Sequence, residues 1–266
     1  MVLKKMKFES EIKSHPFKFY KVEYKYNTDK DGVPDFSAKN LLKGFVRNFD
    51  DLKNLPKVEC ITEKLIPFKN ELAVIVARNA TGETKTYPVV EMEFHPEANQ
   101  VEYVICPARI EDSVALKAQE IALKVSQAFN HVGLLAVEMF QTENDEILVN
   151  EVAPRPHNSG HYSIEASYTS QFENHLRAVL DWPLGSPAPT GPQTVMVNLL
   201  GKDLGNLHSA FRHIMARDPG IKVHLYGKEV RPGRKIGHVN ATGGNIEDLL
   251  QRAWHAADYL TGVIDE

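Results

Sequence analysis

The chain has 266 residues, enough for one large domain or two small ones with a substantial core. Its formal net charge is −4, so overall charge gives no argument for nucleic acid or an anionic membrane as partner. Cys60 and Cys106 lack metal-type spacing and predict no disulfide framework, as is typical of a reducing cytosol. No apolar run approaches about 18 residues, and no apolar stretch follows the N-terminal lysines. We therefore expect a cytoplasmic protein with neither a membrane span nor a secretory signal.

The first half of the sequence predicts a series of strands. Runs rich in apolar and β-branched residues occur at 71–78, 84–90 and 101–107. A polar segment at 79–83, which contains a Thr-Gly pair, predicts the turn between the first two.

A helix is predicted next, over residues 113–130. Asp112 or Ser113 is the expected N-terminal cap, and Gly133 lies just beyond the predicted end. The apolar side chains of one predicted face are Val114, Ala118, Ile121, Val125 and Ala128. Strands followed by a helix and then by more strands predict an α+β fold.

Two further runs, 133–141 and 146–153, predict a β-hairpin around the polar turn 142–145. In such a hairpin Glu138 and Glu151 lie near each other with their side chains pointing the same way. Two carboxylates in an apolar hairpin repel each other and are costly to bury. A bound divalent cation relieves both problems, and carboxylate oxygens suit Mg²⁺ that also bridges substrate phosphates.

The alternative for this glutamate pair is a position on the solvated face of each strand, which is where single charged residues usually lie. The continuous apolar stretch 134–137 is instead typical of a strand that is covered on both faces. This pattern favours buried, paired carboxylates and therefore the metal site.

The segment after the hairpin predicts a rigid polar loop. Pro154 and Pro156 have no amide hydrogen to donate, so the chain must leave the sheet there. A guanidinium binds planar oxyanions through parallel hydrogen bonds, and neighbouring imidazole and amide groups add donors. The loop therefore suits bicarbonate, carboxylate or phosphate. The alternative, capping of a helix predicted over 163–180, explains one or two of its polar side chains, which are Arg155, His157, Asn158, Ser159 and His161.

A second portion is predicted from Gly185 onward, after a segment rich in proline and glycine. It contains predicted strands at 194–200 and 222–226, a helix near 204–215 and a last helix capped by Asn245. A cationic segment precedes the last helix. A solvated loop is the usual explanation for such a charge run, but these cations also suit a phosphate dianion: Lys228, Arg231, Arg234 and Lys235.

Two motifs carry a family resemblance. N-E-V-A-P-R-P-H-N-S-G-H at 150–161, followed by T-S-Q-F-E-N-H-L-R-A-V at 169–179, resembles the N5-carboxyaminoimidazole ribonucleotide synthetases, an ATP-grasp family of purine biosynthesis. The resemblance runs from about Val58 to the C-terminus. Formate-using glycinamide ribonucleotide transformylases share E-x-x-P-R-P-H but typically continue with Asp-Thr-Gly-Met. The tetrad N-S-G-H at 158–161 therefore favours the carboxylating family.

The resemblance implies an ATP-grasp domain, made of an antiparallel sheet with helices, and a small C-terminal β-rich α+β domain. It implies an ATP-dependent carbon–nitrogen ligase that carboxylates 5-aminoimidazole ribonucleotide with bicarbonate, via carboxyphosphate, in de novo purine biosynthesis. ATP and Mg²⁺ are the implied cofactors, and a homodimer is the implied assembly. We expect no nucleic-acid or membrane partner.

The resemblance also implies roles for individual residues. Bicarbonate is expected to bind Arg155, His157 and Asn158, and Mg²⁺ to bind Glu138 and Glu151. The substrate's ribose phosphate is expected at the cationic segment. The backbone near Ile66 is expected to meet the adenine edge, and Glu71 to accept hydrogen bonds from the ribose hydroxyls. The full set expected to bind the nucleotide is Glu63, Lys64, Ile66, Glu71, Asn150 and Glu151.

The resemblance is weakest at residues 1–57, which are expected to form a divergent N-terminal segment, followed by an ATP-grasp domain at 58–184 and a substrate-phosphate domain at 185–266. Family members carry a further doubly wound domain ahead of this region, which we expect to be lacking here. Where the family has a glycine-rich phosphate loop, this chain has only Gly32, with Lys18 or Lys21 as the candidate phosphate lysine. A second hypothesis is therefore a non-catalytic remnant or dimerisation module that binds nucleotide weakly or not at all.

Overall fold

The structure is a computed structural model that describes residues 66–95, 100–202 and 207–264, together with the backbone of three earlier strands. Two compact units result, Met1–Pro67 and Phe68–Glu266. The predictions for Lys18 and for the side chains of Lys21, Glu63 and Lys64 lie outside the described residues.

The described part of the first unit is a three-stranded antiparallel sheet. Its strands are β1 (Tyr20–Lys25), β2 (Leu41–Val46) and β3 (Cys60–Lys64). The strand order is β2-β1-β3, so β3, which carries Glu63 and Lys64 of the predicted nucleotide-binding set, is at one edge.

The second unit is built on a nine-stranded sheet in which every described strand pair is antiparallel. The strand order is β11-β12-β10-β7-β6-β4-β8-β9, with β5 paired to β4. This arrangement confirms the expected antiparallel sheet. The strands are β4 (Asn70–Arg78), β5 (Thr84–Thr86), β6 (Val90–Phe94), β7 (Val101–Cys106), β8 (Gly133–Gln141), β9 (Ile147–Ala153), β10 (Gln193–Leu200), β11 (Lys222–Leu225) and β12 (Lys235–Gly243).

Five α-helices are described in this unit, and together with the sheet they confirm the α+β class. They are α1 (Asp112–Phe129), α2 (Ser163–Ala166), α3 (Gln171–Val179), α4 (Phe211–Arg217) and α5 (Ile246–Leu260).

The middle of the sheet is covered on both faces. Alternate side chains of β4, such as Leu72 and Val74, pack with α1, whereas Ile75 and Ala77 pack with Ala178 of α3. This explains the unbroken apolar runs in β4 and β8, because neither face of these strands meets water. Helix α5 covers β10 and β12 in a second core.

The predicted continuous helix over 163–180 is wrong. Helix α2 ends at Ala166, and Ser167 forms an isolated bridge to Pro189. The side-chain oxygen of Ser170 then accepts the N–H of Glu173 and caps α3. Serine and threonine compete with helical backbone hydrogen bonds and favour caps, which explains the break in S-Y-T-S.

Of two other predicted helix N-caps, one is wrong and one is confirmed. The N-cap of α1 is Glu111, and no side chain caps it, so the prediction of Asp112 or Ser113 is wrong. The predicted cap of α5 is confirmed, since Asn245 Oδ1 accepts the N–H of Asp248 at 2.8 Å.

The sequence did not predict β12, which lies between β11 and β10. One face of this strand carries buried polar side chains, including His238 and Asn240, so its sequence lacks the usual apolar alternation. Strand β10 also pairs with β7, so a single sheet continues past Gly185. The predicted domain boundary between residues 184 and 185 therefore remains a prediction from the family resemblance. No helix in the described ranges has the length and apolarity that a membrane crossing needs.

Candidate active site

Glu138 and Glu151 are directly opposite each other in the hairpin of β8 and β9, as predicted. Opposed residues of an antiparallel pair project from the same face of the sheet. A bulge follows this pair, because Met139 is paired with Val149 and the intervening Asn150 has no partner in the strand register. Such bulges re-aim side chains and are frequent beside active sites. The hairpin therefore presents two carboxylates and an amide from one short segment.

The two carboxylates differ in burial. Glu138 is 8% exposed, whereas Glu151 is exposed, so the expectation that both are buried is wrong for Glu151. The difference arises because β9 is the edge strand of the sheet and β8 is not. Asn150 is half-buried. The pair therefore has one carboxylate fixed in the protein interior and one at the surface.

His157 connects the loop to the hairpin. Its side chain is buried, and its Nε2 lies 3.0 Å from Glu138 Oε1. On the other side of the ring, Nδ1 accepts the backbone N–H of Ser159 at 3.3 Å and lies 2.9 Å from Ser159 Oγ. Because Nδ1 is an acceptor, Nε2 carries the hydrogen that Glu138 accepts. His157 also caps the short 3-10 turn Asn158–Gly160. The alternative in which the loop's polar side chains cap the following helix is wrong, because α2 has no side-chain cap and α3 is capped by Ser170.

The side chain of Gln171, at the start of α3, forms hydrogen bonds with the backbone of this loop. Its Oε1 accepts the N–H of His157 at 2.9 Å, and its Nε2 donates to the carbonyl of His157 at 2.8 Å. The same Nε2 lies 2.9 Å from Nδ1 of His161. The loop backbone approaches so closely that a Cβ on Gly160 would lie 2.2 Å from Ile75 Cδ1 and 2.6 Å from Gln171 Oε1.

Substitution of Gly160 by alanine should therefore destabilise the fold at this loop. We expect a loss of about 1–3 kcal/mol in the free energy of unfolding, the usual cost of overpacking. Urea denaturation measures it. Gly191→Ala is the matched control, because no atom lies within 4 Å of its added Cβ. Equal midpoints for the two variants would show that the loop is not packed as described.

The side-chain amide of Asn158 forms two hydrogen bonds with the side-chain amide of Asn198. Its Nδ2 donates to Asn198 Oδ1 at 2.7 Å, and its Oδ1 accepts from Asn198 Nδ2 at 3.0 Å. Asn158 remains partly exposed.

Arg155 is exposed, and its Nη1 donates to the carbonyl of Pro156 at 3.1 Å. The guanidinium is thus at the surface, near in sequence to His157.

The cationic segment divides into two pairs. Arg231 forms an ion pair with Glu229, and Arg234 donates to the carbonyl of Glu229, both on the surface. Lys235 is half-buried and interacts electrostatically with Glu138 and Lys228. Desolvation, opposed by the Glu138 carboxylate and reinforced by Lys228, lowers the pKa of Lys235 to about 8.

Three histidines form a stack on the polar face of β11 and β12. The ring centroids of His161 and His238 are 4.9 Å apart, and those of His238 and His224 are 4.6 Å apart. The Tyr226 hydroxyl lies 2.9 Å from His238 Nδ1. Desolvation is the main cause that lowers the pKa of His161 to about 4 and that of His238 to about 2. Both rings are therefore neutral at pH 7.

Glu165 joins the loop to the same face. Its Oε1 lies 2.7 Å from His224 Nε2, and its Oε2 accepts from Asn240 Nδ2 at 2.6 Å. Burial alone would raise the pKa of Glu165, but these two hydrogen bonds outweigh burial and lower it. Asn240 Nδ2 also donates to the carbonyl of His161 at 3.2 Å. The loop is thus bonded both to α3 and to the C-terminal strands.

A pocket of about 200 Å³ lies between the start of β4 and the adjacent antiparallel strand β6. It contains Glu71, and Phe68 at its wall stacks on Phe140 with ring centroids 4.5 Å apart. An apolar wall with a few polar groups is suitable for a nucleotide base or sugar. Ile66, near which the adenine edge was predicted to bind, belongs to the first unit and is half-buried. The lining residues are Phe68, Lys69, Asn70, Glu71, Glu91, Met92, Glu93 and Phe94.

The hairpin carboxylates fit a magnesium ion that is held partly by substrate. In the described part of the chain, no three His, Cys, Asp or Glu side chains form a group that could hold a metal by themselves. Mg²⁺ does not need one, because it usually binds one or two carboxylates together with substrate phosphates and water. Glu138 and Glu151, with the half-buried amide of Asn150, supply oxygen donors of that kind.

Several residues that complete this region were not predicted as site residues. Asn198 lies in the apolar run T-V-M-V-N-L-L, where one polar residue in a buried strand is a usable signal. Gln171 lies within the motif at 169–179, but no role was predicted for it or for Glu165, His224 and His238, because their partners are distant in sequence.

Two protein-family models match the chain in separate stretches. One, described as an ATP-grasp domain, matches residues 42–172. The other, described as a phosphoribosylaminoimidazole carboxylase C-terminal domain, matches residues 194–252.

Relatives with known names agree with these matches. An N5-carboxyaminoimidazole ribonucleotide synthase of Mycobacterium tuberculosis is 43% identical over 208 residues, which are 77% of this chain and 48% of the relative. One of Bacillus subtilis is 45% identical over 185 residues, 68% of this chain and 46% of the relative. The chain thus spans about half the length of the curated relatives it matches.

Solved structures show the same likeness. N5-carboxyaminoimidazole ribonucleotide synthetase from Thermotoga maritima matches with a TM-score of 0.76 and 38% identity, over 97% of this chain and 65% of that one. The Aspergillus clavatus enzyme in complex with ADP and 5-aminoimidazole ribonucleotide matches with a TM-score of 0.73 and 35% identity, over 82% and 59%.

Proposed function

This chain belongs to the N5-carboxyaminoimidazole ribonucleotide synthetase family of ATP-grasp proteins, and we propose that it carries that family's ATP-dependent carboxylation of 5-aminoimidazole ribonucleotide. The observation that carries the proposal is the opposition of Glu138 and Glu151 in the hairpin, with His157 bonded to the buried carboxylate. A metal-binding pair and an anion-binding loop are thus connected by a hydrogen bond.

In this proposal Glu138 and Glu151 hold Mg²⁺ with help from Asn150. The ion would neutralise charge on the triphosphate of ATP, as in other phosphoryl transfers. Glu138 has a second task, since its carboxylate fixes the His157 ring with Nε2–H as donor. Glu151 is exposed and is therefore accessible to a ligand that arrives from solvent.

Bicarbonate is proposed to bind at His157, Asn158 and Arg155. Its oxygen attacks the γ-phosphorus of ATP and the bond to ADP breaks, giving carboxyphosphate. Carboxyphosphate then divides into CO₂ and phosphate, and the exocyclic amine of the ribonucleotide bonds to the carbon and loses a proton. The residues act mainly by holding the reactants in line and by balancing charge.

The substrate's phosphate is proposed to bind Lys235 and Lys228 rather than Arg231 and Arg234. The two lysines lie on the side of Glu138 and the histidine stack. The two arginines are engaged with Glu229 at the surface.

The nucleotide is proposed to lie at the pocket that contains Glu71, which accepts hydrogen bonds from the ribose. Roles for Glu63, Lys64 and Ile66 in nucleotide binding are proposed separately, from the family resemblance alone. The division of the chain into segments 1–57, 58–184 and 185–266 is also a proposal, and it rests on the family resemblance.

The test is phosphate release from ATP by the purified chain. We expect release that requires both bicarbonate and 5-aminoimidazole ribonucleotide, with one phosphate for each carboxylated product. No release above that of a Glu138→Ala variant would instead support the non-catalytic alternative, and release that does not require bicarbonate would reject carboxylation. Turnover with formate and glycinamide ribonucleotide would support transformylase chemistry. A homodimer is also proposed, and the mass in solution tests it.

A further inference from the structure

The amide pair of Asn158 and Asn198 connects two parts of the chain that are distant in sequence. Asn158 is in the loop within the ATP-grasp match, and Asn198 is in β10 within the C-terminal match. Asn198 is 4% exposed, so its amide must be satisfied by protein groups. The position of the loop amide therefore depends on a strand of the C-terminal portion.

The orientation of Asn198 is determined by its partners. Its Nδ2 donates to the carbonyl of Val101 at 2.8 Å and to Asn158 Oδ1 at 3.0 Å. Both acceptors are oxygens, so a flipped Asn198 amide would place oxygen against oxygen. Its Oδ1 consequently faces Asn158 Nδ2, from which it accepts at 2.7 Å.

The orientation of Asn158 follows from that of Asn198. An asparagine amide has two N–H groups and one carbonyl oxygen in a plane. One N–H and the carbonyl of Asn158 face Asn198, so the second N–H points in a fixed direction. Without this partner the terminal torsion of asparagine is broad and roughly two-fold. The amide could then present its carbonyl oxygen where a donor is needed.

We propose that Asn198 is a positioning residue for bicarbonate: it orients Asn158 so that an N–H, and not the carbonyl oxygen, faces the anion. This inference rests on the proposed function, because it assumes that Asn158 meets bicarbonate. Strand β10 also pairs with β12, which carries Lys235. The C-terminal portion thus sets the direction of a donor in the loop as well as the place of a cation.

A bicarbonate titration of the uniformly ¹⁵N-labelled full chain tests the inference by NMR. The shift of the Asn158 side-chain amide gives the affinity. We expect Asn198→Ala to weaken bicarbonate binding about tenfold, the effect of one well-placed hydrogen bond to an anion. The shift of another loop residue, such as Ser159, gives the affinity of variants that lack Asn158. Binding of ADP should be unchanged in both single variants, Asn198→Ala and Asn158→Ala.

A double-mutant cycle separates positioning from a general structural effect. If Asn198 acts through Asn158, the double variant Asn158→Ala/Asn198→Ala should bind bicarbonate as weakly as Asn158→Ala alone. Additive losses would overturn the inference, as would unchanged affinity in Asn198→Ala or no bicarbonate-dependent shift in the unmodified chain. Asn198→Leu preserves approximate size but can neither donate nor accept, so it gives the same comparison if the alanine variant does not fold.

The titration does not depend on turnover. Bicarbonate binding that Asn198→Ala weakens, in a chain without ATP-dependent carboxylation, would leave this inference standing and reject the proposed function. Carboxylation by the unmodified chain, together with bicarbonate binding that Asn198→Ala leaves unaltered, would support the proposed function and reject this inference.

Discussion

Replacement of Glu138 by glutamine should lower turnover about a thousandfold while the fold is retained. Loss of a carboxylate that holds a catalytic metal removes several kcal/mol of charge stabilisation, and three powers of ten correspond to about 4 kcal/mol. Glutamine can still accept the hydrogen of His157 through its carbonyl oxygen, so the loop should remain in place. The measurement is kcat for the bicarbonate-dependent release of phosphate.

Glu146→Gln is the matched control for this variant. Glu146 lies in the turn of the same hairpin and is exposed, so its substitution should leave kcat within about twofold of the unmodified chain. Comparable turnover in Glu138→Gln and Glu146→Gln would show that the buried carboxylate does not take part. Circular dichroism of both variants distinguishes a local effect from unfolding.

Loss of the Lys235 charge should weaken substrate binding by roughly 10- to 100-fold. A buried hydrogen bond to a charged group contributes about 1.5–3 kcal/mol, which gives a factor of this size. We therefore expect Lys235→Met to raise KM for 5-aminoimidazole ribonucleotide at pH 7. Lys222→Met, an exposed lysine on the neighbouring strand β11, is the control and should have little effect.

The pH dependence follows from the depressed pKa of Lys235, about 8 in place of 10.5. Below pH 8 the amine is mainly charged and can bind a phosphate. Above pH 8 it loses the proton, so kcat/KM should fall about tenfold for each further pH unit. Lys235→Arg retains its charge throughout this range and should remove that fall. An unchanged alkaline limb in the arginine variant would assign the fall to another group.

The sequence was sufficient for the local parts of the site. Apolar runs on either side of a polar turn predicted the hairpin and placed Glu138 near Glu151. Their direct opposition depends on the bulge at Asn150, because Glu138 is closer to the turn than Glu151 is. Pro154 and Pro156 predicted where the chain leaves the sheet. The cap of α5 at Asn245 was likewise a local feature. Each of these depends on residues that are close in sequence.

Contacts between distant segments could not be predicted in the same way. The hydrogen bonds of Asn158 with Asn198 and of Glu165 with His224 join residues from different elements. Strand β12 was missed because buried polar residues obscure its alternation. Burial was also misjudged for Glu151, since periodicity does not show which strand is at the edge of a sheet.

The most direct test of the metal site is a titration of the chain with Mn²⁺ in the presence of ADP, followed by electron paramagnetic resonance. Manganese substitutes for magnesium at oxygen ligands and reports binding without turnover. If Glu138 and Glu151 hold the ion together, Glu138→Gln and Glu151→Gln should each weaken Mn²⁺ binding at least about tenfold. Binding of Mn²⁺ by both variants with the affinity of the unmodified chain would contradict the account.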